Sequence, residues 1–191
     1  MGKPPQLAPP NTPKLAQNHP YTQPKKPRTC IYINKQIPSH QIINHPQESN
    51  LLTTITLLGV YNSIPQLTLL SLYNPPTTFS AINILNQWLQ TEATQQTPTL
   101  LVMASNLHHP HWNPSKYTHT HTQARNLIKI CGKKGFHLIL PRCIPTFLGA
   151  VGKPMMIDLI WANLKPTTQV QLNNHSSDHH LIITIMSQGL F

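Results

Sequence analysis

Eight short apolar runs, each closed by Pro, Asn or Gly or by polar residues, constrain this chain more than any other feature: TCIYINK, NLLTTITLLGV, QLTLLSLY, TLLVM, FHLIL, MMIDLIW, TQVQL and LIITIM. Rich in Ile, Leu, Thr, Val and Tyr, they predict strands of a buried sheet system. None approaches the roughly 20 residues that a membrane-spanning helix needs. No basic start leads into an apolar signal core either. The expectation is a soluble, intracellular chain with no membrane partner.

Two segments keep a helical period instead. In TFSAINILNQWLQTEA, Ile82, Leu85, Trp88 and Leu89 share one face, with Thr78 or Ser80 placed to cap the start. In THTQARNLIKICGKKG, Ala124, Leu127, Ile128 and Cys131 recur at i, i+3, i+4 and i+7, and Gly132 or Gly135 supplies the stop. Many strands with two intercalated helices predict an α/β or α+β layered domain. Residues 1–27 differ: dense proline among Gln, Asn and Lys allows neither a helix nor a central strand, so they predict an extended arm.

Charge is one-sided because acids are scarce. The chain carries 14 Lys and Arg against four acids (Glu48, Glu92, Asp158 and Asp178), a formal charge of +10. The pI favours a polyanionic partner, but the cations are spread along the chain rather than massed in one run, so a generic solvated surface is expected slightly ahead of a dedicated binding stripe. Cys30, Cys131 and Cys143 are odd in number and widely spaced, which predicts buried thiols in a reducing compartment rather than a disulfide frame.

His108, His109, His111, His119 and His121 suggest zinc by residue type but match no zinc spacing: no Cys-x-x-Cys and no His-Glu-x-x-His accompanies them. No zinc is expected. Asp158 lies inside the apolar run MIDLIW, where a carboxylate is costly unless paired, and Asp178 directly precedes His179 in SSDHHLI. His179 is the natural partner for Asp158. Such a pair fixes the imidazole tautomer and raises the basicity of the far nitrogen, as a general base or phosphate-facing group requires. Asp178 would then be free to face a hard cation such as Mg²⁺. The competing reading makes Asp158 the cap of a strand bend and Asp178 the start of a turn.

The order LTLLSLYNPP, LLVMASNLHHPHWNP, LPRCIPTF, GKPMMIDLIWAN, SSDHHLI resembles the endonuclease/exonuclease/phosphatase superfamily, in particular the endonuclease domains of non-LTR retrotransposons, from about Arg28 to Met186. The specific motif is the family's Gly-Asp-Phe-Asn-x-His-His-Pro-x-Trp. The resemblance implies a deoxyribonuclease-I-like fold, a two-sheet β-sandwich flanked by helices, over residues 28–191. It also implies Mg²⁺- or Mn²⁺-assisted phosphodiester hydrolysis, with DNA the leading partner. By motif, Tyr73 would touch the phosphate region, Asn106 would orient the phosphate or nucleophile, and Asp158 would orient a catalytic His179. Thr146, Phe147, His108 and Trp112 would line the substrate rim, and Asp178 would ligate metal or its waters.

The departures bear on activity. Where the family has Gly-Asp-Phe-Asn, this chain reads Met103-Ala104-Ser105-Asn106, so a proton-handling aspartate is replaced by Ala104. The family's first strands, with the glutamate that is its chief metal ligand, should precede RTCIYINK, where this chain has a proline-rich arm without Asp or Glu. Glu48 falls after that run and reads as a loop carboxylate. The expectation is a truncated, degenerate member of retroelement origin, lacking the first strands and weak or inactive as an enzyme. The alternatives are a non-catalytic nucleic-acid-binding module and an active nuclease completed by a partner or by Glu48.

Overall fold

The computed structural model describes residues 26–46, 49–61, 64–78, 80–90, 97–113, 118–149, 152–171 and 177–186. The expected arm at residues 1–27 lies almost wholly outside them, as do Glu48 and Glu92.

The two longest apolar runs form an antiparallel hairpin. Strand β2 (Leu52–Tyr61) pairs with β3 (Ile64–Tyr73) from Leu52↔Leu72 to Leu58↔Gln66. Beyond Leu58 the register shifts, and Gly59 stands there at φ +63°, a left-handed backbone that glycine enters without Cβ strain. Strand β1 (Ile42–Asn44) pairs with β2 at one edge. Strand β4 (Thr99–Ala104) runs parallel to β3, so the chain must cross over between them, and helix α1 (Ser80–Gln90) makes that crossing. Strand β8 (Asp158–Ala162) lies antiparallel beside β4 and carries β5 (His137–Leu138) on its far side. The result is a six-stranded sheet in the order β1-β2-β3-β4-β8-β5.

Helix α1 buries Ala81, Ile82, Leu85 and Leu89, with Trp88 half-exposed at the margin of the predicted face. Helix α2 (Thr122–Lys133) buries Ala124, Leu127 and Cys131, with Ile128 only partly covered. Its end is a Schellman motif. Gly135 takes φ +73°, its N–H bonds to Gly132 O at 3.2 Å, and the Phe136 N–H bonds to Cys131 O at 3.0 Å. Both helices share one core with Leu70, Leu72, Leu101, Met103 and Leu159. A fully buried Leu or Met contributes about 1.5–3 kcal/mol, so this core dominates stability.

The second layer is thin. Strands β9 (Thr167–Gln171) and β10 (Leu181–Ile185) pair with each other, as do β6 (Phe147–Leu148) and β7 (Pro154–Met155). A bridge between Phe147 and His179 joins the pairs, with Leu148 N–H to Asp178 O at 2.7 Å and His180 N–H to Thr146 O at 2.8 Å. The expected layered α/β sandwich is present.

Several expectations need correction. TCIYINK is not a strand: Thr29 Oγ1 meets Thr53 Oγ1 at 2.8 Å, yet residues 29–35 form no ladder. Among the described residues no strand precedes β1. MMIDLIW divides after Met155: Ser105 N–H still reaches Ile157 O at 2.7 Å, but the return bond is missing because Ile157 N–H goes to Thr146 Oγ1 (3.1 Å) and Ser105 O accepts Asn74 Nδ2 (2.7 Å). Asp158 therefore opens β8 rather than lying mid-strand. Of the three free thiols only Cys131 is buried, its pKa pushed up to about 12 by burial, while Cys30 and Cys143 are exposed. No described helix is long and apolar enough to cross a membrane.

Candidate active site

Three neighbouring strands deliver their ends to one rim. Tyr73, Ala104 and Asp158 are in register across β3, β4 and β8, so the loops after β3 and β4 and the start of β8 meet at one edge of the sheet. Short polar contacts hold those loops. Asn74 is fully buried; its N–H bonds to Ala104 O (3.0 Å) and its Nδ2 to Ser105 O (2.7 Å). Asn106 adopts φ 50°, a left-handed conformation that Asn tolerates better than most residues. Its Nδ2 donates to Asn74 O at 2.8 Å, which leaves Oδ1 as the atom it can offer a ligand.

The second layer supplies the imidazole. His179 Nδ1 lies 2.7 Å from Asp158 Oδ2; their side chains are 45% and 18% exposed. An ionised Asp158 accepts the Nδ1–H, which turns Nε2 away from the carboxylate. Asp178 Oδ1 stands 4.0 Å from Nε2 on the exposed side. Burial pushes the Asp158 carboxyl above its usual range, against the opposing hydrogen bonds of His179 and Thr146. Thr146 is fully buried, and its Oγ1 accepts the N–H groups of Ile157 (3.1 Å) and Asp158 (3.0 Å). The Phe147 ring flanks His179 at 4.8 Å between centroids.

A cleft of about 420 Å³ opens on this pair, lined by Asn106, His108, Phe147 and His179 together with Pro76, His119, His121, Met155 and Ile157. Four of the proposed residues thus converge. Tyr73 does not line the cleft; the Arg28 guanidinium covers its ring at 4.7 Å and donates to its hydroxyl at 3.1 Å. Trp112 and Thr146 are not rim residues but buried supports, both 0% exposed. Trp112 Nε1 donates to Leu107 O at 3.2 Å and its ring packs edge-on against Trp161 at 6.4 Å. Sequence reasoning missed the supporting roles of Asn74 and Ser105, which carry no signal beyond adjacency to the motif.

The histidines beside His179 belong to the same wall. His108 and His121 rings are 5.1 Å apart, His119 and His121 4.8 Å, and His121 N–H bonds to His108 O at 2.9 Å. Burial, with His121 and His119 nearby, lowers the His108 pKa to about 4, so that imidazole is neutral at pH 7. Among the described residues no group of three His, Cys, Asp or Glu side chains could hold a metal ion. Ala104 presents a methyl group in register with Asp158, and Asp158 is committed to His179. Asp178 is the one described carboxylate left, too few for a hard cation that favours several oxygens. Among the described residues the donor set does not fit the divalent ion implied by the resemblance.

The fold is that of a deoxyribonuclease-I-like, nuclease-like domain. The family profile described as endonuclease-reverse transcriptase matches residues 67–183, and the chain belongs to that family. Among solved structures it is similar to the endonuclease domain of TRAS1, a telomere-specific non-LTR retrotransposon. The TM-score is 0.61 at 17% identity, over 78% of this chain and 68% of that one. The 3′ phosphatase NExo from Neisseria, solved with a product DNA hairpin, aligns with a TM-score of 0.57 at 13% identity, over 76% of this chain and 70% of that one. No curated protein matches the sequence.

Proposed function

We propose that this is a degenerate nuclease domain of retroelement origin, intracellular, that holds a phosphodiester of nucleic acid, DNA foremost, in the His179 cleft and hydrolyses it weakly or not at all. One observation carries the reading: the Asp158–His179 pair is intact at 2.7 Å, while Ala104 stands across from Asp158 where the resembling motif has aspartate. Asp158 holds the Nδ1–H tautomer, so His179 Nε2 is the basic nitrogen that takes a proton from a nucleophile and, once protonated, donates a hydrogen bond to a phosphate oxygen, while Asn106 Oδ1 orients the group beside it. Phe147 keeps one face of the imidazole dry. An acid or base group contributes about 10²–10⁴-fold to such a reaction, so the methyl of Ala104 accounts for a loss of that order. The reading of the fold as a non-catalytic binding module is favoured by the same residue.

Nicking of supercoiled plasmid by the purified chain, in Mg²⁺ and in Mn²⁺ with an EDTA control, tests it. The expected result is nicking within about 10-fold of the His179→Ala background. Vigorous metal-dependent nicking abolished by His179→Ala would show a competent active site and overturn the degeneracy.

A further inference from the structure

The groove between α1 and α2 is a second polar cavity, separate from the His179 cleft. Its volume is about 400 Å³. From α1 it receives Asn83 and Asn86, one turn apart, and from α2 Asn126, Lys129 and Lys133, with Lys134 at the helix end. No residue lining it is acidic, and neither helix contains an Asp or Glu anywhere. Exposed helices commonly intersperse Glu with Lys at i, i+4 and so neutralise their own faces. Here Lys129 and Lys133 are an i, i+4 pair of like charge, roughly 5–6 Å apart at Cβ, which costs helix stability unless an anion lies between them.

We propose that this groove binds a nucleic-acid strand through its phosphates, as a contact surface independent of the His179 cleft. The lysines supply the anion contacts, spaced about one helical turn apart along the groove. The facing amides of Asn83, Asn86 and Asn126 supply what lysines cannot: paired donors and acceptors that meet base edges. A polyanion with only acceptor groups, such as a polyphosphate, would leave the amide oxygens without partners. The inference rests on the nucleic-acid reading for the class of polyanion only, and it stands whether or not the cleft hydrolyses anything.

The test is anisotropy of a fluorescein-labelled single-stranded oligonucleotide, titrated with the full chain at several KCl concentrations. The triple variant Lys129→Gln, Lys133→Gln, Lys134→Gln is compared with a charge-matched control, Lys26→Gln, Lys35→Gln, Lys165→Gln. Loss of three phosphate contacts lowers the slope of log K against log salt by about 2, at about 0.7 per contact for single strands. The groove variant is expected to lose about 10-fold or more in affinity near 0.1 M salt, and the control less than about 3-fold. Equal losses in the two variants, no loss in either, or no binding by the wild type would each overturn the groove. So would competition by polyglutamate at equal charge. Asn83→Ala with Asn86→Ala is expected to weaken binding while keeping the salt slope; unchanged affinity would remove the amides from the proposal. Hydrolysis of bis(4-nitrophenyl) phosphate, too small to need the groove, reads the cleft by itself, so failure of one idea does not masquerade as failure of the other.

Discussion

The two faces of the six-stranded sheet are finished to different degrees. Towards the helices, Leu101 and Met103 of β4 are 0% and 1% exposed. Between them on the opposite face, Val102 is 42% exposed although β4 lies inside the sheet. The covering layer there has two strands of two residues and two of five. Its β9–β10 hairpin turns Val170 and Ile182 towards the core and leaves Leu181 and Ile185 half-exposed. Stability therefore resides on the helical side, while the site straddles the boundary. Asp158 comes from the thick layer and His179 from the thin one, so their hydrogen bond ties the two together.

The sharpest way to break this comparison is to cut the same strand on each face. Leu101→Ala is expected to cost about 3 kcal/mol, within the 2–5 typical of a buried leucine. Val102→Ala, next to it, is expected to cost under about 1 kcal/mol, since its side chain already meets solvent. Urea denaturation of both variants measures the pair. Equal losses would mean that the second face is as well packed as the first.

A smaller effect is expected at the junction. Thr146 joins the layers by accepting two buried N–H groups and by its bond to the Asp158 carboxylate. Thr146→Val removes these at constant shape and is expected to cost about 2 kcal/mol, at 1–3 for each buried group left unsatisfied. It also removes a bond that holds the Asp158 pKa down, so that carboxyl should titrate higher still. Thr146→Ser, which keeps the hydroxyl, should restore most of the stability in the same denaturation series.

The residues that made this architecture readable are those whose spacing repeats. Ala124, Leu127 and Cys131 appear on the buried face of α2 as their period requires, and Leu67, Leu70 and Leu72 are buried in β3 within a run rich in Leu and Thr. Asp158 and His179 were legible for another reason: a carboxylate beside an apolar run needs a partner, and few candidates exist in so acid-poor a chain. What stayed hidden depends on contacts distant in sequence. Nothing local says that Ile157 will give its N–H to Thr146 and so cut MMIDLIW in two, or that Trp112 will turn inward onto Trp161 instead of outward to a substrate. TCIYINK has strand composition but no neighbour in ladder register. FHLIL yields only His137–Leu138 because the chain leaves the β8 edge before Pro141.

The wall of the cleft adds a pH-dependent contrast between the layers. The fold holds His108 near pKa 4, whereas the unfolded chain binds that proton near 6.5. The stability this neutral imidazole contributes is complete above about pH 6.5 and is lost as pH falls towards 4. Wild type should therefore weaken between pH 7 and 4.5 by more than His108→Gln does, because the variant cannot take up the proton. Parallel stability curves for the two proteins would remove His108 as the cause.

The smallest effect is expected where the thin layer meets solvent. Leu181 and Ile185 are 53% and 50% exposed on the outward side of β10, so neither contributes much burial to the described fold. Leu181→Lys and Ile185→Lys are expected to change stability by under about 0.5 kcal/mol each, as for surface substitutions generally. They should also reduce aggregation, because charge on an exposed apolar strand opposes edge-to-edge association. The informative outcome is a large loss instead. A loss near that of Leu101→Ala would mean that something covers this face in solution and that the thin layer is thin only in isolation. Light scattering on the same samples separates the two cases: an oligomer that Leu181→Lys dissolves identifies a second copy as the cover, whereas a monomer that unfolds places the cover within the chain itself.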